Sequence, residues 1–324
     1  MALFRVSPPA RGLILIIAAF LALGFERSVS AAPSSKANAV QIDAALTNTI
    51  LKYFSYAKAS SCSVGLSNNT WACASAVCSG NSVGTKVLGE LSNPLREQGY
   101  SGYVAIEPDG ATVVFAIEGT RSAVDFLFDA SLTPTFGVQD YFPDAPTTSS
   151  AHSGFWALFK AGVPSIQSYI DNVLPQYPNV KTVVFAGYSL GGILQNLNAG
   201  YFYPKLSSRY TVKSYIVAPA RTINDVFAEY LSASPAYAEG TFYRVIGRKD
   251  IVPRIITPWA PTFYTHLGTE YFVDGEAGVT SPIYKCPSPG VGKENQYCMN
   301  TVTPFELSVS PGHTNYFGIT GCSS

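Results

Sequence analysis

The sequence predicts an α/β fold in which helices cover a mostly parallel central sheet. Short β-branched and apolar runs alternate along the chain with longer stretches whose apolar residues recur at helical spacing. This alternation is typical of parallel strands, because each parallel connection needs a long crossover, usually a helix. The chain has no internal repeat and no linker rich in Pro, Gly or Ser. We therefore expect a single domain over residues 32–324.

The first 31 residues precede this domain and have the pattern of a targeting segment. Arg5 and Arg11 lie before an apolar run at 12–25, and small residues follow at 28–32. The run is shorter than the ~20 residues that a membrane-spanning helix needs. The pattern predicts a secretory signal peptide over residues 1–31, cleaved near Ala31, and hence a secreted protein. A membrane anchor is the alternative interpretation.

The charge of the chain excludes one class of partner. Lys plus Arg is 21 and Asp plus Glu is 21, so the net charge is zero. Charged residues make up 13% of the chain, against about 25% in an average protein. Without a basic stripe we expect no nucleic-acid partner. Hydrophobic residues reach 47%, which indicates exposed apolar surface that serves for binding. We expect a monomer without stable membrane insertion.

The cysteines indicate an oxidising compartment. The chain has six cysteines, and an even number in an exported chain predicts disulfides, here three. The chain has no CxxC pair of the kind that zinc sites use, so we expect no metal and no cofactor. Sequence alone does not fix the pairing of the six, which are Cys62, Cys73, Cys78, Cys286, Cys298 and Cys322. Asn68 begins an N-glycosylation acceptor, which places it at the surface if it is used.

The secondary structure elements can be predicted in order along the chain. Apolar residues at helical spacing predict a helix over 44–57. Two apolar runs, 103–106 and 112–117, flank a Pro-Asp-Gly turn at 108–110 and predict a hairpin. The later elements are an aromatic-rich segment at 122–150, a helix over 155–174, a strand over 181–186, a helix from Ile193, and strands over 212–217 and 242–247.

A glycine-rich turn between a predicted strand and the following helix carries the most informative serine. It reads FAGYSLGGI and holds Gly187 two residues before Ser189 and Gly191 two residues after it. A sharp strand-to-helix turn requires small residues at these positions and presents the serine hydroxyl at the carboxyl edge of the sheet. The Leu190 N–H then lies at a helix start, where it can face a developing negative oxygen. The context predicts a nucleophile; the alternative is an ordinary glycine-rich turn.

A serine nucleophile needs a base, and the chain has three histidines. In folds with such a strand-to-helix turn the partners follow in the order serine, acid, histidine, which excludes His152. His266 lies in an alternating segment, where a structural, hydrogen-bonded histidine is the more common finding. His313 lies in a loop beside Pro311 and Gly312 that can reach the sheet edge. Position favours His313 and leaves His266 open.

The acid of the triad has one favoured candidate and two rivals. Asp250 follows the predicted strand 242–247, and a carboxylate just past a strand end can reach an imidazole. Asp225 is more simply explained as a helix cap and Asp274 as a turn residue. The alternative for Asp250 itself is an ion pair with Arg248 or Arg254.

At these residues the sequence resembles the class 3 fungal lipases, which have the α/β-hydrolase fold, and in particular their mono- and diacylglycerol lipase-like members. The motifs are GYSLGG at 187–192, APARTIND at 218–225, KDIVPR at 249–254, THLGTEYF at 265–272 and GHTNYFGITGC at 312–322. The resemblance covers most of residues 32–324. It implies Ser189 as nucleophile, Asp250 as orienting acid and His313 as base, with His266 in a non-catalytic position.

The resemblance implies further features. Thr120 would complete the oxyanion hole together with Leu190. The segment at about 122–150 would be a lid that opens at a lipid surface; a surface loop whose aromatic residues pack inward is the alternative. The implied disulfides are Cys62–Cys322, Cys73–Cys78 and Cys286–Cys298. The chain departs from the family at Glu118, Tyr188, Ile193 and Leu194, where arginine, histidine and small alanines are usual.

The sequence thus predicts a serine lipase that hydrolyses acylglycerols at an oil–water interface. Two alternatives stay open. A feruloyl or other carbohydrate esterase would use the same triad, although the apolar lid argues against it. A non-catalytic binding protein on this fold would be expected to have lost a triad residue, and all three are present.

Overall fold

A mixed sheet of nine strands forms the centre of the part of the chain that the structure describes. The structure is a computed structural model and describes residues 38–62, 71, 76–78, 82–91, 101–119, 133–256, 263–288, 290 and 293–322. These residues lie in one compact unit, Ser34–Ser324. The predicted signal peptide 1–31, Asn68, Cys73, Thr120 and the first part of the predicted lid, 122–132, lie outside the described residues.

The strands are short and are numbered here in chain order. They are β1 (Val40–Gln41), β2 (Lys86–Glu90), β3 (Ser101–Ile106), β4 (Thr112–Glu118), β5 (Pro134–Thr135), β6 (Ala151–His152), β7 (Thr182–Tyr188), β8 (Thr211–Val217), β9 (Ile223–Asn224), β10 (Phe242–Gly247), β11 (Tyr264–Thr265), β12 (Glu270–Val273) and β13 (Ile283–Lys285). The α-helices are α1 (Ala44–Ala59), α2 (Ser153–Ser168), α3 (Leu190–Leu206), α4 (Asp225–Ser232) and α5 (Val252–Ile255). Within the described ranges, none of the helices combines the length and apolarity needed to cross a membrane.

The large sheet is parallel at its centre and antiparallel at its margins. Its strand order is β1-β13-β12-β10-β8-β7-β4-β3-β2. Strands β4, β7, β8, β10 and β12 are parallel to one another, and β2 and β3 on one side and β13 and β1 on the other are added antiparallel. A smaller antiparallel sheet has the order β11-β9-β6-β5. Since parallel strands end at one edge, the loops after β7 and β10 lie on the same side of the molecule.

Helices cover both faces of the large sheet, and strand β7 shows why. Val183 and Phe185 point into the core beneath α2 and α3, whereas Val184 and Ala186 point into the core beneath α1. Successive side chains of a strand point to opposite faces, so an uninterrupted apolar run is what a strand covered on both faces requires. The prediction of a sheet with helices on both faces is therefore confirmed.

The predicted elements agree with the observed ones apart from their ends. The hairpin is β3–β4, and its Asp109 accepts a hydrogen bond from Ala111 N while Gly110 adopts φ +66°. The predicted helix 155–174 is α2, which continues as a π-helical turn at Tyr169–Val173. The residues from Ile193 onward are helical as predicted, and their helix, α3, begins at Leu190, where the glycine-rich turn predicts a helix start.

Two disulfides are present in the described part of the chain, and both are pairings that the resemblance implies. Cys62–Cys322 joins the segment after α1 to the C-terminal segment, and Cys286–Cys298 closes a loop after β13. Cys78 is also disulfide-bonded, and Cys73, its expected partner, lies outside the described residues.

Candidate active site

Ser189 occupies a strained turn between β7 and α3. Its backbone has φ 55° and ψ −124°, a conformation that non-glycine residues rarely adopt. A Cβ atom at Gly187 would lie 2.4 Å from the carbonyl oxygen of Gly191, and one at Gly192 would lie 3.1 Å from the carbonyl oxygen of Val217. The close approach of α3 to β7 and β8 therefore requires these glycines. This explains why glycines surround a single serine in the sequence.

The structure brings the three predicted triad residues together. Ser189 Oγ lies 2.9 Å from His313 Nε2, and His313 Nδ1 lies 3.0 and 2.9 Å from the two carboxylate oxygens of Asp250. All three side chains are buried. With Nδ1 donating to the carboxylate, the neutral imidazole has Nε2 free to accept the serine proton. Ser189 lies at the N-cap position of α3 but makes no side-chain capping bond, so its hydroxyl is available to the histidine.

Two short segments hold the acid and the base side by side. Asp250 follows β10, and Ser308 forms a parallel bridge to it, with Ser308 N bonded to Lys249 O at 2.8 Å. His313 N in turn bonds to Val309 O at 2.8 Å in the loop that follows the bridge. The histidine loop is thus attached through its backbone to the strand end that carries the acid.

Tyr316 is a further member of the site that the sequence did not single out. Its hydroxyl donates to Asp250 Oδ2 at 2.6 Å and accepts from Gly247 N at 2.7 Å. Burial, and then the charge of Asp250, raise the pKa of Tyr316 well above its usual value, so the hydroxyl remains a donor. Val252 N donates to Asp250 Oδ1 at 2.8 Å. These bonds fix the carboxylate, and the only signal in the sequence is a tyrosine three residues after the histidine.

The two other histidines are buried away from this constellation. His266 Nε2 donates to Pro253 O at 3.0 Å, and burial followed by the charge of Arg244 lowers its pKa well below the usual value. His152 caps α2 through Phe155 N, and burial lowers its pKa to about 4. Both are neutral structural residues here, as the order of the triad predicts for His152 and the resemblance implies for His266.

The rival acids have other partners. Asp274 accepts from Arg248 Nη1 at 2.9 Å, and the same arginine bonds Glu306. Asp225 is the first residue of α4; the expectation that it caps the helix was wrong, because the cap is the side chain of Asn224. The proposed ion pair of Asp250 with Arg248 or Arg254 is not formed by its carboxylate, and Arg254 Nη1 instead donates to the Asp250 backbone oxygen.

Gly119 lies beside Leu190, one of the two predicted donors of the oxyanion hole. A Cβ atom on this residue would lie 2.8 Å from Leu190 N and 3.1 Å from Ser189 Oγ. The space beside Gly119 is therefore within hydrogen-bond reach of the Leu190 N–H, which as the first residue of α3 has no acceptor within the helix. Thr120, the other predicted donor, lies outside the described residues.

Part of the predicted lid belongs to the core. Val138 and Phe142 are buried, and the Phe142 ring packs on Trp156, Phe159 and Phe227. Phe136, by contrast, is 60% exposed. For residues 138–150 the alternative of inward packing therefore describes the structure better, because these aromatic rings cover α2. Phe126 and Phe128 lie outside the described residues, so a lid over this first part stays a prediction.

A buried network of charges supports the segment that follows the acid. Arg221 binds Glu294 with Nε–Oε1 2.6 Å and Nη2–Oε2 2.9 Å, and its Nη1 donates to Ile256 O at 2.7 Å. Although burial alone would raise it, the Arg221 charge lowers the pKa of Glu294 to about 2. Glu270, Cys286 and Cys298 also lie close together, but the two sulfurs form a disulfide and are not free to bind a metal.

Comparison with known proteins finds similarity to the family that the motifs indicate. The family described as lipase (class 3) matches residues 114–259. Secreted mono- and diacylglycerol lipase A of Penicillium cyclopium is 28% identical over 184 residues, which are 56% of this chain and 54% of that protein. The chain thus matches about half the length of this curated relative. The resemblance to class 3 lipases is confirmed.

Solved structures agree on the fold. The crystal structure of a lipase from Rhizopus microsporus var. chinensis has a TM-score of 0.71 at 24% identity and covers 90% of this chain and 93% of that one. The nonglycosylated LIP2 lipase of Yarrowia lipolytica has a TM-score of 0.73 at 21% identity and covers 89% and 99%. The predicted α/β-hydrolase fold is confirmed.

Proposed function

We propose that the protein is a secreted serine lipase that hydrolyses the ester bonds of acylglycerols through an acyl-enzyme intermediate. The observation that carries the proposal is the hydrogen-bonded line from Ser189 Oγ through the imidazole of His313 to the carboxylate of Asp250. The match to the class 3 lipase family supports ester hydrolysis as the reaction. The relative named as a mono- and diacylglycerol lipase supports acylglycerols as the substrate class.

The geometry of the triad supports the following mechanism. Ser189 attacks the ester carbonyl while His313 Nε2 accepts its proton, and Asp250 orients the imidazole and stabilises its charged form. The N–H group of Leu190 donates to the oxygen that becomes negative, and the resemblance to class 3 lipases suggests Thr120 as the second donor. His313 then protonates the leaving glycerol oxygen, and the same histidine activates the water that releases the fatty acid. The reaction uses no metal and no organic cofactor.

Export from the cell is part of the proposal. The relative named above is described as secreted, and the sequence begins with the pattern of a signal peptide over residues 1–31. The disulfides Cys62–Cys322 and Cys286–Cys298 fit an oxidising compartment. We propose a monomer that meets its substrate at an oil–water interface without inserting stably into a membrane.

The triad is tested by the Ser189→Ala variant. Because the three residues act as a unit, we expect its turnover of emulsified acylglycerols to fall by roughly a millionfold. Wild-type protein should also react with a fluorophosphonate at Ser189. Ser214→Ala is the matched control, since Ser214 is buried in the neighbouring strand β8 and its Oγ has no partner among the described residues. It should keep full activity and labelling.

The same assays distinguish the alternatives. Faster release from feruloyl esters than from any emulsified glyceride would favour a carbohydrate esterase. Folded protein that neither reacts with the phosphonate nor hydrolyses an ester would favour a binding protein and overturn the proposal. Comparing emulsified tri-, di- and monoacylglycerols identifies the preferred substrate. A rate that rises sharply above the solubility limit of the substrate is expected of a working lid, and a flat dependence would argue against one.

A further inference from the structure

We propose that Tyr188, the residue before the nucleophile, is a positioning residue that aligns His313 with Ser189. The proposal rests on the proposed function, since it concerns the base of that reaction. The resemblance places histidine at this position, and the sequence gives no reason for the tyrosine. The structure assigns it two contacts with His313 at once.

The first contact is with the backbone and the second is with the ring. The Tyr188 hydroxyl donates to the carbonyl oxygen of His313. The Tyr188 ring stacks on the imidazole, with 5.1 Å between the ring centroids and 19° between the planes. The hydrogen bond fixes the backbone from which the histidine side chain projects, and the stacking fixes the plane of its ring. Together they restrict the two motions that would change the distance from Nε2 to Ser189 Oγ.

Tyr188 is itself held rigidly. It is the last residue of β7, and its carbonyl oxygen accepts from Gly119 N at 3.1 Å. On the side of α1, the Phe54 ring meets it edge-on at 5.4 Å, and Lys58 Nζ lies 4.4 Å from its ring centroid. A cation over an aromatic face and an edge-to-face ring pair are both favourable arrangements. The tyrosine is therefore held by strand β7 and by residues of α1, and it can fix the position of His313.

His313 needs such a reference because it lies in a turn and not in a helix or strand. Its own N–H is bonded to Val309 within the loop, so that bond moves with the loop. Apart from the triad bonds, the bond from Tyr188 ties this residue to the strand that also carries Ser189. The nucleophile and its base are thus attached to the same strand end. Misplacing a catalytic group by about 1 Å costs about a hundredfold in rate.

The closing experiment compares Tyr188→Phe with Tyr237→Phe. Tyr237 is the matched control, because its hydroxyl also donates to a backbone carbonyl in a buried place, that of Asn196 at 2.7 Å, but does not touch the triad. Both variants lose one buried hydrogen bond and should lose similar thermal stability. With a soluble short-chain p-nitrophenyl ester, we expect Tyr188→Phe to lower kcat about tenfold with KM within about twofold. Tyr237→Phe should leave both constants within about twofold of wild type.

A second comparison identifies the group through which Tyr188 acts. In a His313→Ala background only a residual rate remains, and Tyr188→Phe should not lower it further, because the residue that it positions is absent. The rate of fluorophosphonate labelling should fall in Tyr188→Phe by the same factor as kcat. A Tyr188→Phe enzyme with the kcat of Tyr237→Phe, or a loss that persists undiminished in the His313→Ala background, would overturn the positioning role. Wild-type protein that does not hydrolyse any ester would instead overturn the proposed function.

Discussion

Ser189 illustrates how one residue in an unfavourable conformation serves the site. A serine at a helix N-cap ordinarily bonds the backbone of the first turn, but Ser189 leaves those N–H groups free and bonds His313 instead. Its positive φ turns the side chain off the strand and toward the end of the sheet. The neighbouring glycines make this strained turn possible, because their lack of a side chain lets α3 approach β7. The helix N-terminus therefore remains open toward the side on which we propose that the substrate oxygen binds.

The space for that oxygen depends on Gly119. In Gly119→Ala the added methyl would lie 2.8 Å from Leu190 N and would occupy the place that we propose for the oxyanion. Because a single oxyanion donor contributes about 10²–10³ in kcat, we expect a loss of at least about a hundredfold with a soluble ester. Steady-state kinetics measure the loss, and thermal unfolding checks that the variant is folded. Unchanged kcat in a folded Gly119→Ala protein would place the oxyanion elsewhere.

Much of the triad can be predicted from the sequence because it depends on local context and chain order. The strand-to-helix turn identifies Ser189, the end of a predicted strand favours Asp250, and the order of the triad with the loop position favours His313. Tyr316 and Gly119 could not be found in this way, because their roles depend on distances across the fold. The Tyr316 hydroxyl lies 2.6 Å from Asp250, and a side chain at position 119 would meet the Leu190 nitrogen. Sequence patterns carry little information about such contacts.

A buried histidine, His152, caps the N-terminus of helix α2, and this makes stability depend on pH. The pKa of His152 is lowered by burial to about 4, whereas an unfolded histidine titrates near 6.5. Between these values the unfolded chain binds a proton and the folded chain does not, so stability present above pH 6.5 is lost as pH falls toward 4. The loss is about 3 kcal/mol over this range, at about 1.4 kcal/mol per pH unit. His266, also buried and neutral, acts in the same direction.

The prediction is checked by urea unfolding at several pH values from about 7 to about 4.5, a range that covers most of the window between the two pKa values. We expect the free energy of unfolding of wild type to fall steadily over this range. His152→Gln, which cannot titrate, should start from a lower stability because it loses packing on Phe155 but should show a shallower pH dependence. Equal slopes for the two proteins would mean that His152 is not the group responsible.

The loop closed by Cys286–Cys298 contributes a carboxylate that pairs with a buried arginine. Glu294 of this loop is the bidentate partner of Arg221, whose side chain is 3% exposed. In Glu294→Gln the guanidinium remains buried without a countercharge, and removing one member of a buried pair costs about 3–5 kcal/mol. Glu276→Gln is the control, since Glu276 pairs with Lys249 at the surface with its side chain 73% exposed. It should change the free energy of unfolding by less than about 1 kcal/mol.

Chemical denaturation of the two glutamate variants tests this difference. A similar small effect of both variants would mean that the Arg221 network adds little to stability.

The helices and strands were easier to predict from the sequence than this network, because the apolar run of β7 and the turn of the β3–β4 hairpin are local signals. The inward packing of Phe142 was not predictable, because an aromatic-rich segment looks the same whether its rings cover a helix or a substrate.

For the molecule as a whole, the segment after α1 and the C-terminal segment are joined to each other. Cys62 follows α1 and Cys322 follows the loop of His313 and Tyr316, and their disulfide spans 260 residues. Gly321 passes so close to α1 that a Cβ atom there would lie 3.0 Å from Lys58 O.

The parallel centre of the sheet was predictable from the spacing of strands and helices. The Cys62–Cys322 disulfide was implied only by the resemblance, because six cysteines by themselves allow many pairings.

Replacing both cysteines, as Cys62→Ser with Cys322→Ser, separates the stability of the fold from the geometry of the site. Closing so long a loop lowers the entropy of the unfolded chain, and losing it should cost up to about 5 kcal/mol in the free energy of unfolding. His313 is held independently by the bridge at Ser308 and by Tyr188, so kcat per folded molecule at about 25 °C should stay within about twofold of wild type. Thermal unfolding and active-site titration measure the two quantities. A folded variant with a large loss of kcat would show that the disulfide, and not these contacts, holds the histidine loop in place.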